Sequence, residues 1–113
     1  MKILATATII AMLSSGAWGA SFNSGKQLLG KCQSEESPYL IWCTGYLHGM
    51  ADADDARVTS EGIKREICVP VDDISNKQLR TTVIKYLEKH PDELQLPAAS
   101  LVPRAYKEAY PCK

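Results

Sequence analysis

Four cysteines, Cys32, Cys43, Cys68 and Cys112, constrain the fold of this chain more than any other feature. An even number of cysteines in a small exported chain is typical of a disulfide framework. A structural zinc site usually needs cysteine pairs only about two to four residues apart. The shortest spacing here is eleven residues, so the pattern favours two disulfides over a metal site. Four cysteines allow three pairings, and spacing alone does not choose among them.

The start of the chain has the layout of a secretory signal peptide. Lys2 supplies a positive charge, and residues 3–13 form an apolar or small run that is too short to span a membrane as a helix. Ala17 and Gly19 put small residues at the two specificity positions, so we expect cleavage after Gly19, with Ala17 and Ala20 as alternatives. The prediction is a signal peptide over 1–19, a single domain over 20–113 and export from the cytoplasm.

The charge of the chain is balanced, with 13 basic and 13 acidic residues. Removal of Lys2 with the leader leaves a net charge near −1. This balance argues against nucleic acid and against a charged membrane surface as partners. No second long apolar run follows the leader, so we expect no membrane attachment after cleavage.

Helix signals dominate the rest of the chain, which predicts an all-α domain of four to five helices. The helix starts are marked by Ser24, by Ser37 with Pro38, by Ser75 with Gln78, and by Pro97. Apolar residues at three- and four-residue steps predict about five turns for the second helix. We expect residues 56–73 to be less regular, with a helical turn or two at residues 61–66. Proline ends the third helix at His90 and the fourth at Tyr110, and Pro103 should kink the fourth.

Helix order suggests which cysteines pair. Cys32 ends the first helix and Cys43 lies in the second turn of the next, so a short turn brings them together. Cys68 precedes the third helix and Cys112 follows the fourth, so an antiparallel hairpin of these helices would bring the two cysteines to its open end. We therefore predict the disulfides Cys32–Cys43 and Cys68–Cys112.

Two glycines on one face of the second helix, Gly45 and Gly49, indicate close helix packing. Each costs about 1 kcal/mol of helix propensity relative to alanine, and close approach of another helix is the usual compensation. With an apolar face on its other side, this helix is predicted to be the buried centre of the domain. Trp42 belongs to the same predicted packing region.

Metal and catalytic sites find little support in the sequence. His48 and Asp52 lie one helical turn apart, but a third ligand would have to come from elsewhere, so a polar helix edge is the favoured interpretation. The aspartates that follow lack the glycine and distal glutamate of a calcium loop. No thiolate remains if all cysteines are oxidised, and no serine–histidine arrangement is visible. We expect neither enzyme activity nor a cofactor.

Taken together, the ordered motifs of residues 22–112 resemble the Rap/Tai family of periplasmic immunity proteins. The resemblance is carried by Leu28-Leu29 before Cys32, Trp42-Cys43-Thr44-Gly45-Tyr46-Leu47 with Gly49 and Asp52-Ala53, Cys68-Val69-Pro70, Gln78-Leu79, Tyr86-Leu87, His90-Pro91, Ala98-Ala99, Leu101-Val102 and Ala109-Tyr110-Pro111-Cys112. Pro103 departs from the family pattern, in which this helix is usually uninterrupted.

The resemblance implies a small disulfide-bonded helical protein, often a homodimer, that binds and blocks a peptidoglycan amidase delivered by type VI secretion. Loops carry binding function more often than helices do, so the expected contacts lie in two irregular polar segments: Asp54, Asp55, Glu61 and Lys64 in one, and Asp92 and Glu93 in the other. Two other classes stay open, a small periplasmic acid-stress chaperone and a structural homodimer without a toxin partner.

Overall fold

The computed structural model describes residues 21–113. It contains four α-helices, which are α1 (Gly25–Gln33), α2 (Ser37–Glu61), α3 (Asn76–Lys89) and α4 (Ala98–Ala109), and a short 3₁₀ helix (Pro91–Glu93) between α3 and α4. Two isolated β-bridges, Ser24 with Pro97 and Ile67 with Pro111, tie the loops to the helix ends. The predicted all-α class is confirmed, while the predicted leader over 1–19 lies outside the described residues.

Two of the predicted helix starts are capping boxes. The hydroxyl of Ser24 accepts a hydrogen bond from the backbone N–H of Gln27, whose side chain accepts one from the N–H of Ser24. Ser75 and Gln78 make the same reciprocal pair at the start of α3. Each box satisfies amides that an isolated helix end leaves without a partner, which is why both starts could be placed correctly from the sequence.

The length of α2 was predicted wrongly. The helix begins after Glu36, with Pro38 in its first turn, and runs for 25 residues, or about seven turns rather than five. It ends at Gly62, whose φ of 63° lies in the left-handed region that glycine enters without steric cost. Residues 56–61 are therefore helical, and residues 63–66 form no helix.

The most deeply buried helix is α4, not α2. Leu101 and Val102 are fully buried, and Ala105 and Tyr106 are 1% exposed. The Tyr106 hydroxyl donates a 2.6 Å hydrogen bond to the backbone carbonyl of Leu47 in the middle of α2. Burial, and to a lesser degree the neighbouring Tyr110, raises the pKa of Tyr106 above its ordinary value, so this hydroxyl stays protonated as a donor. The α2 helix packs on this core with one side only.

The two predicted disulfides are confirmed. Cys32 and Cys43 join α1 to α2 with a Cα–Cα distance of 5.2 Å, and both side chains are buried. Cys68 and Cys112 join the segment after α2 to the end of α4 at 5.1 Å. Trp42 lies half-buried against the core beside the first bridge, stacked on Tyr46 at 5.1 Å between ring centroids and covered by the Lys31 ammonium 3.9 Å from its ring.

The predicted helix contact at Gly45 and Gly49 is not made within the chain. Both glycines lie on the exposed side of α2, and a Cβ atom at either position would meet no neighbouring atom of residues 21–113 within 4 Å. Close approach occurs instead at Gly25 in α1. A Cβ there would collide with Leu101 Cδ1 and would lie 3.1 Å from the carbonyl oxygen of Leu94.

This contrast predicts opposite effects for one substitution at two glycines. Gly25→Ala should lower the free energy of unfolding by roughly 1–3 kcal/mol, because Leu101 is fully buried and cannot move aside freely. Gly49→Ala should raise it by up to about 1 kcal/mol in the monomer, because alanine favours the helix and its methyl group meets open space. Urea unfolding of both variants checks this, and a destabilised Gly49→Ala monomer would contradict the exposed placement.

Candidate functional site

The six polar residues predicted to contact a partner fall into two groups at opposite ends of α4. The first group lies at the C-terminal end of α2 and just beyond it, where Lys107 near the end of α4 approaches Glu66 at 3.1 Å. The second group lies in the 3₁₀ helix, where Leu94 accepts a hydrogen bond from the backbone N–H of Lys26 at the start of α1. A helix of twelve residues spans about 18 Å, so the two groups do not form one compact patch.

Ion pairs organise the group at the end of α2. Arg57 lies 3.3 Å from Asp54 and 3.8 Å from Glu61, and Arg65 reaches back to Asp55 at 2.6 Å. Asp55 and Glu61 are largely exposed, whereas the side chain of Asp54 is only 11% exposed. Exposed pairs of this kind contribute at most about 1 kcal/mol each. They position the carboxylates more than they stabilise the fold.

Lys64, the remaining member of this group, is exposed and lies beside a shallow depression. Asp54, Arg57 and Glu66 line the same depression with apolar Val58 and Ile63. The end of α2 therefore combines both charge signs on a partly apolar surface.

The second group, Asp92 and Glu93, lies in the 3₁₀ helix, and Glu93 contacts α4. One carboxylate oxygen of Glu93 lies 3.5 Å from the Arg104 guanidinium, while its other oxygen is buried without a hydrogen-bond partner in the described part of the chain. The pKa of Tyr86 is raised, mainly by burial and secondly by the negative charge of Glu93. His90 stacks on Tyr86 at 4.2 Å between ring centroids. Asp92 is exposed, so it is the carboxylate of the 3₁₀ helix that a partner can reach.

A groove that the sequence did not predict runs between α2 and the segment 67–76. Two adjoining cavities of about 240 and 380 Å³ form it, and they share Ala51, Asp52, Val69 and Val71 as lining. Asp54 and Asp55 from the first group also line it. A signal was present in the sequence: Ile67 and Val69 alternate with their neighbours just before Pro70, a pattern that points side chains to one face of an extended stretch.

The His48–Asp52 pair lines this groove, with Asp52 where the two cavities meet. His48 Nε2 is 2.8 Å from the side-chain oxygen of Asn76, which satisfies that ring nitrogen. Across residues 21–113, no three His, Cys, Asp or Glu side chains come together in a way that could hold a metal ion.

The described residues also hold no free thiol, because all four cysteines are paired. None of the helices in residues 21–113 is long and apolar enough to cross a membrane.

Comparison with known proteins gives one match. The family model described as Rap1a immunity proteins matches residues 24–112, which is most of the chain. Searches of curated proteins and of solved structures find no match. The matched range begins at the Ser24 cap of α1 and ends at Cys112, so it covers all four helices and both disulfides.

Proposed function

This chain belongs to the Rap1a immunity protein family, and on that basis we propose that it inhibits a type VI secreted peptidoglycan amidase in the periplasm. An immunity protein neutralises a secreted effector by binding it, so the function requires a shaped surface and no catalytic group. The family match over residues 24–112 is the observation that carries this proposal.

The architecture supports inhibition by binding. Two disulfides fix α1 to α2 and the end of α4 to the segment 67–76. A surface held rigid before binding loses less conformational entropy on association, which favours tight complexes. Protein–inhibitor interfaces bury about 1,600 Å² in total, an area that a domain of this size can supply. We propose that Asp55, Glu61, Lys64 and Asp92, with the less exposed Asp54 and Glu93, mark the contact regions.

A homodimer is a further part of the proposal. Ile41 is 72% exposed on α2 and lies one turn from Gly45, which lies one turn from Gly49. The two glycines lower helix propensity with no compensating contact inside residues 21–113. Packing of this α2 face on a second copy would supply that compensation.

The location follows from the leader predicted over residues 1–19. Cleavage there would deliver the mature domain to the periplasm, the compartment that contains peptidoglycan. The periplasm also permits disulfides, which the domain contains.

Protection of a sensitive cell tests the function. A bacterium that directs the partner amidase to its periplasm should lyse, and co-expression of the full chain should restore growth. The purified domain should bind the amidase with about nanomolar or tighter affinity, because incomplete occupancy would leave some amidase active, and should abolish peptidoglycan hydrolysis. Growth curves and a hydrolysis assay measure these two effects.

The matched control is the same chain without residues 1–19, which should stay in the cytoplasm and give no protection. Failure of the full chain to protect against every amidase encoded in the same genome would contradict the proposal. If that failure came with acid-triggered suppression of protein aggregation in vitro, the chaperone function would replace it.

A further inference from the structure

We propose that the groove between α2 and the segment 67–76 receives an extended loop of the effector that presents a basic side chain next to an apolar one. This proposal rests on the proposed function and assigns it a surface and a partner chemistry. The groove consists of the two adjoining cavities lined on one side by residues 48–55 and on the other by residues 65–76 and Leu79.

The floor and one wall of the groove are apolar. Leu79 and Ile67 are buried beneath it, and Val69 and Ile74 are half-buried. Val71 is 70% exposed at its edge and lines both cavities. An apolar side chain from a partner would cover Val71 and remove this surface from water.

The wall formed by residues 67–69 favours an extended occupant. Ile67 and Val69 line the groove at a two-residue step, the spacing at which an extended chain places side chains on one face, and the turn that follows places Val71 at the edge. An extended peptide laid along this wall places its own alternate side chains at a matching spacing, as in other recognition modes that use strands. A helix, with its period of about 3.6 residues, would not match it.

The unpaired charge at the groove is negative. Asp52 lines it, and Asp72 follows Val71 in the adjoining turn; both are exposed and make no ion pair within residues 21–113. Arg57 and Arg65 already neutralise the other two groove carboxylates. An unpaired carboxylate beside an apolar wall complements a lysine or arginine that lies next to an apolar side chain.

The wall is held in place before any partner arrives. The backbone N–H of Cys68 donates to the carbonyl of Tyr110 at 2.8 Å, and the Cys68–Cys112 disulfide closes the same junction. Within the following turn, Val71 N–H donates to Val69 and Asp73 N–H donates to Pro70, at 2.8 and 2.9 Å. A groove ordered in this way loses little conformational entropy when a loop enters it.

The test measures binding of the cognate amidase to the wild type and three variants of the full mature domain over a range of salt concentrations. The double variant Asp52→Asn with Asp72→Asn removes one charge that lines the groove and one in the adjoining turn, and Val71→Ser removes the apolar edge. The control Glu35→Gln with Glu88→Gln removes the same number of exposed carboxylates, neither of which lines the groove. Surface plasmon resonance gives the association and dissociation rates.

We expect the groove double variant to associate roughly tenfold more slowly at low salt and to show a weaker salt dependence, because electrostatic attraction acts mainly on the association rate. Val71→Ser should instead increase the dissociation rate, since contact losses act mainly there. The control should match the wild type. If the wild type binds and both groove variants bind equally well, the groove assignment is wrong while the immunity function stands; if the wild type binds no effector, the proposed function itself fails.

Discussion

Loss of the Cys68–Cys112 disulfide should lower the free energy of unfolding by about 4 kcal/mol. The bridge closes a loop of 44 residues, and in the chain-entropy model a cross-link restricts the unfolded ensemble more as the loop lengthens. Cys68→Ser with Cys112→Ser isolates this effect, because Cys68 is exposed and Cys112 half-buried, so neither serine enters the core. Urea unfolding of the oxidised wild type and the double variant measures the difference.

The Cys32–Cys43 disulfide provides the comparison, and here two destabilising effects add together. Its loop of eleven residues contributes only about 3 kcal/mol in the same model. Its sulfur atoms, however, lie in the core, since Cys32 is 1% and Cys43 0% exposed. Replacement of both by alanine also removes buried volume, at a further cost of about 1–2 kcal/mol. We therefore expect replacement of Cys32 and Cys43 to lower the free energy of unfolding by as much as replacement of Cys68 and Cys112. A much smaller loss of stability for the Cys32 and Cys43 replacement would show that loop entropy dominates the contribution of both disulfides.

Sequence reasoning could locate the disulfides and helix starts because those features are local. A capping box needs only a serine and a glutamine three residues later, and the box predicted at Ser75 and the cap predicted at Ser24 both appear as expected. The disulfide pairing followed from helix order, which needs no side-chain packing. The end of α2 was misplaced although Gly62 was a local signal for it, because residues 54–61 have no regular apolar face to continue the helical pattern.

The errors about burial have a different cause. Gly45 and Gly49 were predicted to accommodate a neighbouring helix, yet Gly25 is the glycine that a buried side chain touches. Helix spacing identifies which residues share a face, but only tertiary packing decides whether another element covers that face. The groove was missed for the same reason, since its two walls come from segments about fifteen residues apart in the chain.

Replacement of Tyr106 should have the largest effect of any single side chain. Tyr106→Ala is expected to cost about 3–5 kcal/mol, because it leaves a cavity among the fully buried residues of α4. Tyr106→Phe keeps the ring and removes only the hydroxyl that donates to Leu47, so it should cost about 1 kcal/mol. The pair of variants separates packing from hydrogen bonding when both are unfolded in urea.

The raised pKa of Tyr106 also predicts that stability depends on pH in the alkaline range. The pKa of Tyr106 is raised by burial in the folded protein, so above pH of about 10 the unfolded chain releases this proton first. Deprotonation then favours the unfolded state, so the stability that Tyr106 contributes should be constant up to a pH of about 10 and fall as the pH rises further. Burial also raises the pKa of Tyr46 and Tyr86, so Tyr106→Phe should reduce this slope without abolishing it. An unchanged slope in Tyr106→Phe would mean that the hydroxyl reaches water, and the hydrogen bond that joins α4 to the middle of α2 would not hold the two helices together.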